Sequence, residues 1–92
     1  MHTHAANLTR LALLIQRLLD AEMLSEREGT RLLTETEAAH QALQQGDRET
    51  ARQHVEQVSL FTEELVQTDL LTLSDGCAVI QVVQDILAAN TD

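Results

Sequence analysis

The chain has 92 residues and a formal charge of −9, from fifteen acids set against six arginines and no lysine. That balance disfavours nucleic acid and anionic membrane as partners, because phosphate contacts need cationic side chains. The length allows one core burying roughly 60–65% of the unfolded surface and no large enclosed pocket, and with one aromatic, Phe61, no proline and three glycines, helix formers dominate over loop and hairpin signals.

Leu8, Leu11, Ile15 and Leu18 recur at helical spacing, joined by Ala12, Leu14 and Leu19. They cover an arc of about 160°, opposite Arg10, Arg17 and Asp20. With Asn7 as a plausible N-cap, the spacing predicts a first helix over about residues 8–23, preceded by a flexible tail over residues 1–6. Ser25 and Glu28 form an S-x-x-E capping box that opens a second helix, about 26–45. It turns Leu32, Thr36, Ala39 and Leu43 inward, with Leu33 on the flank. Gly46 then suits a left-handed C′ position and Asp47 an N-cap, which makes a tight turn between antiparallel neighbours. A third helix, about 48–67, carries Ala51, Val55, Val58, Thr62 and Leu65 inward with Phe61 alongside. Ser74 or Asp75 is expected to cap a last helix, about 75–89, filled by Val79, Ile80, Val82, Val83, Ile86 and Leu87.

The sum is an all-α, antiparallel four-helix bundle of two helical hairpins, forming a single domain over residues 1–92. Leu24-Ser25 before one helix is echoed by Leu73-Ser74 before another, a faint internal repeat.

Candidate chemistry is sparse. Glu37-x-x-His40 puts a carboxylate and an imidazole on one helix face, as di-iron bundles do, but such sites need a second copy of the motif and two more carboxylates. Packed ring edges for His40 and His54 are the plainer account, and His2 and His4 belong to the tail. Cys77 sits in the first turn of the last helix, where the dipole favours a thiolate, yet no base or oxyanion donor is near it in sequence. As the sole cysteine it excludes an internal disulfide. No phosphate loop, Ca²⁺ loop or zinc spacing is present, and no cofactor is implied. The run Leu11–Leu19, broken by Gln16 and Arg17, is too short to span a bilayer and lacks a signal-cleavage pattern. As a complete chain the protein is expected in the cytoplasm; as an excised module, outside the cell.

The informative excess is apolar. Leu13 points to the polar side of the first helix, and the last helix carries little charge around Cys77, Gln81 and Gln84. Glu49, Glu56 and Glu63 make an acidic line on the third helix at seven-residue spacing. These seven residues are the expected interaction surface, for a partner protein or a second copy forming a dimer. Two further readings follow from the same residues. One is an acidic inhibitor that mimics nucleic acid through Glu49, Glu56 and Glu63. The other is a small metal-binding protein using Glu37 and His40.

Leu11, Leu14-Ile15, Leu18, Leu24-Ser25, Leu32-Leu33, Glu37-Ala38, Ala42-Leu43, Gly46-Asp47, Ala51, Val55, Phe61, Leu73-Ser74, Ala78 and Ile86-Leu87 together resemble the FIMAH-type helical domain, over about residues 8–88. That family is found mostly as a terminal module of bacterial extracellular proteins. The resemblance implies a helical accessory or interaction module and brings no catalytic or ligand residues. The chain departs from it at Ala21-Glu22, where a glycine is common.

Overall fold

The apolar stripes fold as the spacing predicts. A computed structural model describes residues 3–89, which form four helices: α1 (Thr3–Asp20), α2 (Glu26–Gln44), α3 (Arg48–Gln67) and α4 (Leu73–Ala89). Each helix packs on two neighbours, α1 on α2 and α4, and α3 on α2 and α4. The result is an up-down-up-down bundle about as long as its longest helix, 35 × 19 × 18 Å. The core is Leu8, Leu11, Ile15 and Leu18 of α1, Leu32 and Ala39 of α2, Val55, Val58 and Leu65 of α3, and Val79, Val83 and Ile86 of α4. Leu24 and Leu71 close one end of it.

Three boundaries differ from the sequence expectation. α1 starts at Thr3, so residues 3–6 are helical where a tail is predicted, and Asn7 lies inside the helix with its Oδ1 accepting from Arg10 Nη1 at 3.3 Å. Ala5 and Ala6 are the best of helix formers, and nothing before Asn7 stops propagation. α1 also stops at Asp20, before residue 23, because Glu22 turns left-handed. The cap of α4 is Thr72, before both Ser74 and Asp75: its hydroxyl accepts from Asp75 N–H at 3.1 Å and its carbonyl from Gly76 N–H at 2.9 Å. In α2, Ala42 is buried where Leu43 was expected inward, and Leu43 packs half-buried on the core.

All three turns are built alike. After α1, Met23 N–H donates to Leu18 O at 2.8 Å and Glu22 N–H to Leu19 O at 3.0 Å. After α2, Asp47 N–H donates to Ala42 O (2.8 Å) and Gly46 N–H to Leu43 O (3.0 Å). After α3, Leu70 N–H donates to Leu65 O (2.9 Å) and Asp69 N–H to Val66 O (3.2 Å). This is the Schellman pattern, which satisfies helix-end carbonyls by placing one residue in the left-handed region. Gly46 does so at φ 80° with no steric penalty, but Glu22 (60°) and Asp69 (62°) do it with side chains. The next helix then opens on a cap. Ser25 Oγ accepts from Glu28 N–H at 3.3 Å, which is one half of the predicted capping box, while the Ser25 hydroxyl donates to the Glu28 carboxylate. Asp47 accepts from the Thr50 hydroxyl (2.6 Å) and Thr50 N–H (3.1 Å), and these two bonds hold its carboxyl below the usual carboxylate range.

The turns reveal the register of the internal repeat. Glu22, Met23, Leu24, Ser25, Glu28 and Gly29 correspond in turn to Asp69, Leu70, Leu71, Thr72, Asp75 and Gly76. The echo therefore pairs Leu24-Ser25 with Leu71-Thr72, and not with Leu73-Ser74. The correspondence extends along the helices: Leu11 with Val58, Leu18 with Leu65, Leu32 with Val79, Ala39 with Ile86, all buried. It includes a shared packing device, since Gly29 lies against Leu19 and Gly76 against Val66, and a Cβ on either glycine would overlap that side chain. The hairpins α1–α2 and α3–α4 thus share one plan, and stacking them side by side closes the core.

Two buried positions break the apolar match. Thr62 stands where α1 has Ile15, and Thr36 where α4 has Val83. Each hydroxyl donates to the carbonyl one turn back, Thr62 to Val58 O at 2.7 Å and Thr36 to Leu32 O at 2.9 Å. Those carbonyls already accept backbone bonds within the helix, so the hydroxyls add little. Thr62→Val is expected to leave stability unchanged or raise it by up to about 1 kcal/mol in urea denaturation. A loss larger than that would show that the hydroxyl bond holds the helix.

Candidate interaction site

Side-chain periodicity decides what the outer faces present. α1 buries Leu8, Leu11, Ile15 and Leu18, which leaves Leu13 directed outward and 58% exposed, as the sequence predicts. The flank beside it meets α2 in an open groove of about 570 Å³, lined by Leu8, Thr9, Ala12, Leu13, Gln16, Leu33, Thr36, Glu37, His40, Gln41 and Gln44. Glu37 is the one formal charge among them, in a chain that is 23% charged. The groove therefore combines a projecting leucine, an aliphatic floor and a rim of side-chain amides.

The same groove receives the candidate metal ligands. Glu37 and His40 both line it, one turn apart on α2. Among the described residues, no three His, Cys, Asp or Glu side chains converge where they could hold a metal ion. His2 lies outside the described residues, as does the side chain of His4. His54 is part-buried at the edge of the α2–α3 seam, where its Nδ1 lies 2.7 Å from Glu35 Oε1. Arg31 stacks over the Phe61 ring in that seam, 4.1 Å from its centroid. Arg10 and Asp85 approach to 3.8 Å across the α1–α4 seam.

The remaining predicted residues are dispersed. Cys77, Gln81 and Gln84 lie on the exposed back of α4, where Gln81 Nε2 donates to Asp85 Oδ1 at 3.2 Å. Glu49, Glu56 and Glu63 do follow one side of α3, but Arg52 interrupts them. Its guanidinium donates to Glu49 at 2.5 Å and Glu56 at 2.8 Å, and those partners, Glu49 first, push its pKa further up. Of the three acids, Glu63 alone stands outside that network. The signal was present in the sequence, since Arg52 lies three residues after Glu49 and four before Glu56.

Sequence reasoning also missed a second exposed leucine. Leu60 is the repeat equivalent of Leu13, equally 58% exposed, on the opposite side of the bundle. Its surroundings differ in charge, because Glu56 and Glu63 occupy the places that Thr9 and Gln16 hold beside Leu13. Aligning the hairpins in the correct register would have found it. Three other large apolar residues are exposed, Met23, Leu70 and Leu73, all at the end that carries the α1–α2 and α3–α4 turns.

Compared with known protein families, curated proteins and solved structures, the chain matches none. No helix among the described residues is long and apolar enough to cross a membrane.

Proposed function

We propose that the chain is a small non-catalytic interaction module that self-associates through the α1–α2 groove. The observation that carries this is Leu13, more than half exposed beside a groove lined by one formal charge in a molecule of charge −9. Two such acidic chains repel over most of their surface, and an isologous contact is favourable only where like charges do not meet. The α1–α2 groove comes nearest to that condition, with Glu37 the one formal charge lining it. The α3 face around Leu60 does not, because Glu56 and Glu63 flank it. The resemblance to FIMAH-type accessory modules supports the same class of function. The reading as a nucleic-acid mimic is weaker, since Arg52 sits between Glu49 and Glu56 and offsets one of the three charges it relies on.

The test is absolute mass by light scattering behind size exclusion, over a wide range of loading. Wild type should hold about twice the 10.2 kDa of one chain. Leu13→Glu should give the mass of one chain with unchanged helicity, and Leu60→Glu should stay dimeric. A wild-type mass of one chain at every loading would overturn the reading, as would dissociation by Leu60→Glu alone.

A further inference from the structure

The up-down-up-down topology brings the α1–α2 and α3–α4 turns to one end of the bundle. Three large side chains stand open there: Met23 at 48%, Leu70 at 56% and Leu73 at 69% exposure. Met23 and Leu70 have a local reason to be apolar, because the second residue after a Schellman helix end packs back on the last turn. That role uses part of each side chain and leaves half of it open. Leu73 has no such role. It occupies the place that Glu26 holds in the first hairpin, so an apolar residue stands where the repeat carries an acid.

Carboxylates ring these residues. Asp20, Glu22, Glu26 and Asp69 are all exposed at the same end, against Arg17 and Arg27. On the α1–α2 side, Asp20, Glu22 and Glu26 line an open depression of about 540 Å³ floored by Leu19 and Leu24. Two of the acids occupy costly places. Glu22 and Asp69 sit at φ 60° and 62°, where glycine would close each turn with less strain. Strain kept at matching positions of both turns, each time by a carboxylate next to an open apolar residue, points to use.

We infer that this end docks a cationic amphipathic helix of a partner protein, its leucine-type side chains on Met23, Leu70 and Leu73 and its arginine or lysine side chains on the acids. Charge complementarity selects that occupant. A second copy meeting the same face would set acids against acids, and anionic lipid or nucleic acid would be repelled. The acid-lined depression has the room for a long basic side chain, with aliphatic carbon of Leu19 and Leu24 beneath its stem.

The probe is a fluorescein-labelled leucine–lysine peptide with one apolar and one cationic helical face, titrated by anisotropy at physiological salt. Its scrambled isomer, equal in charge, is the control. Wild type should bind the amphipathic peptide at least about tenfold more tightly than the isomer, and Met23→Ser/Leu70→Ser/Leu73→Ser should remove about that preference. Glu22→Gly/Asp69→Gly should weaken binding severalfold while raising the melting temperature, so that loss of affinity cannot be unfolding. Glu49→Gln/Glu56→Gln removes as much charge from the other half of α3 and should change affinity by less than about twofold, screened beyond about 8 Å. Equal binding of the two peptides, or unchanged binding by both end variants, would overturn the proposal. Leu13→Glu should bind the peptide as wild type does, which separates this surface from self-association in the α1–α2 groove.

Discussion

Gly76→Ala should destabilise the bundle by about 1–2 kcal/mol and lower its melting temperature by roughly 5–15 °C. On an open helix face the same change would stabilise by about 1 kcal/mol, because alanine is the better helix former. Packing reverses the sign. A Cβ at Gly76 overlaps Val66 Cγ2, with Leu71 Cδ2 a further 3.9 Å neighbour. Valine in a helix has one strongly preferred rotamer, so the methyl cannot swing aside without entering a poor one. The remaining response is for α3 and α4 to separate, which loosens Leu65, Leu71 and Val79 beneath. Gly29→Ala meets more of its neighbour, since Leu19 Cδ2, Cγ and Cδ1 would all lie within 3 Å of the added Cβ, and only the second torsion of leucine offers relief. Its cost should be of the same order. The decisive comparison is the pair Val66→Ala/Gly76→Ala, in which the added methyl occupies the space vacated. That double variant should recover more than half of the loss, a coupling of about 1 kcal/mol. A Gly76→Ala protein as stable as wild type would mean that the helices do not approach so closely.

The close approach of the helices was beyond the reach of periodicity. Hydrophobic spacing identified four helices and nearly every inward residue, because burial in a bundle repeats with the helix turn. Leu13 was legible for the same reason: it lies opposite Leu11 and Ile15 on the helix circumference. What spacing does not carry is the relation between helices. Nothing in the letters around Gly29 and Gly76 announces that Leu19 and Val66 lie against them. Nor does the spacing of His54 show that Glu35 faces it across the α2–α3 seam. The turn after α3 misled for a local reason. Leu73-Ser74 resembles Leu24-Ser25 in letters, whereas Thr72 is the residue whose hydroxyl faces the free N–H of the new helix. Threonine and serine cap by the same chemistry, so Leu71-Thr72 was the better match all along, and it would have brought Leu60, Leu70 and the acidic αL pair into register with the first hairpin.

That register makes the second large effect a gain. Glu22→Gly should raise stability by about 1 kcal/mol, and Asp69→Gly by about half as much. Both residues hold the left-handed conformation that closes a Schellman turn, at φ 60° and 62°. For a side chain bearing a Cβ that conformation costs about 1–2 kcal/mol, from which the extra backbone entropy of glycine in the unfolded chain, about 0.5–1 kcal/mol, must be subtracted. Aspartate visits the left-handed region more readily than glutamate, which is why the two gains differ. Each acid also stands just past a helix C-terminus, where negative charge opposes the dipole, so its removal adds to the gain in the same direction. The third turn supplies the control: Gly46 has φ 80° with open space around it, and Gly46→Ala should lose about 1 kcal/mol without any clash. Glu22 and Asp69 lie on separate turns, so the double variant should show about the sum of the two gains, or roughly 6–12 °C in melting temperature. A Glu22→Gly protein no more stable than wild type would mean that the carboxylate contributes to the native turn something that offsets its backbone strain.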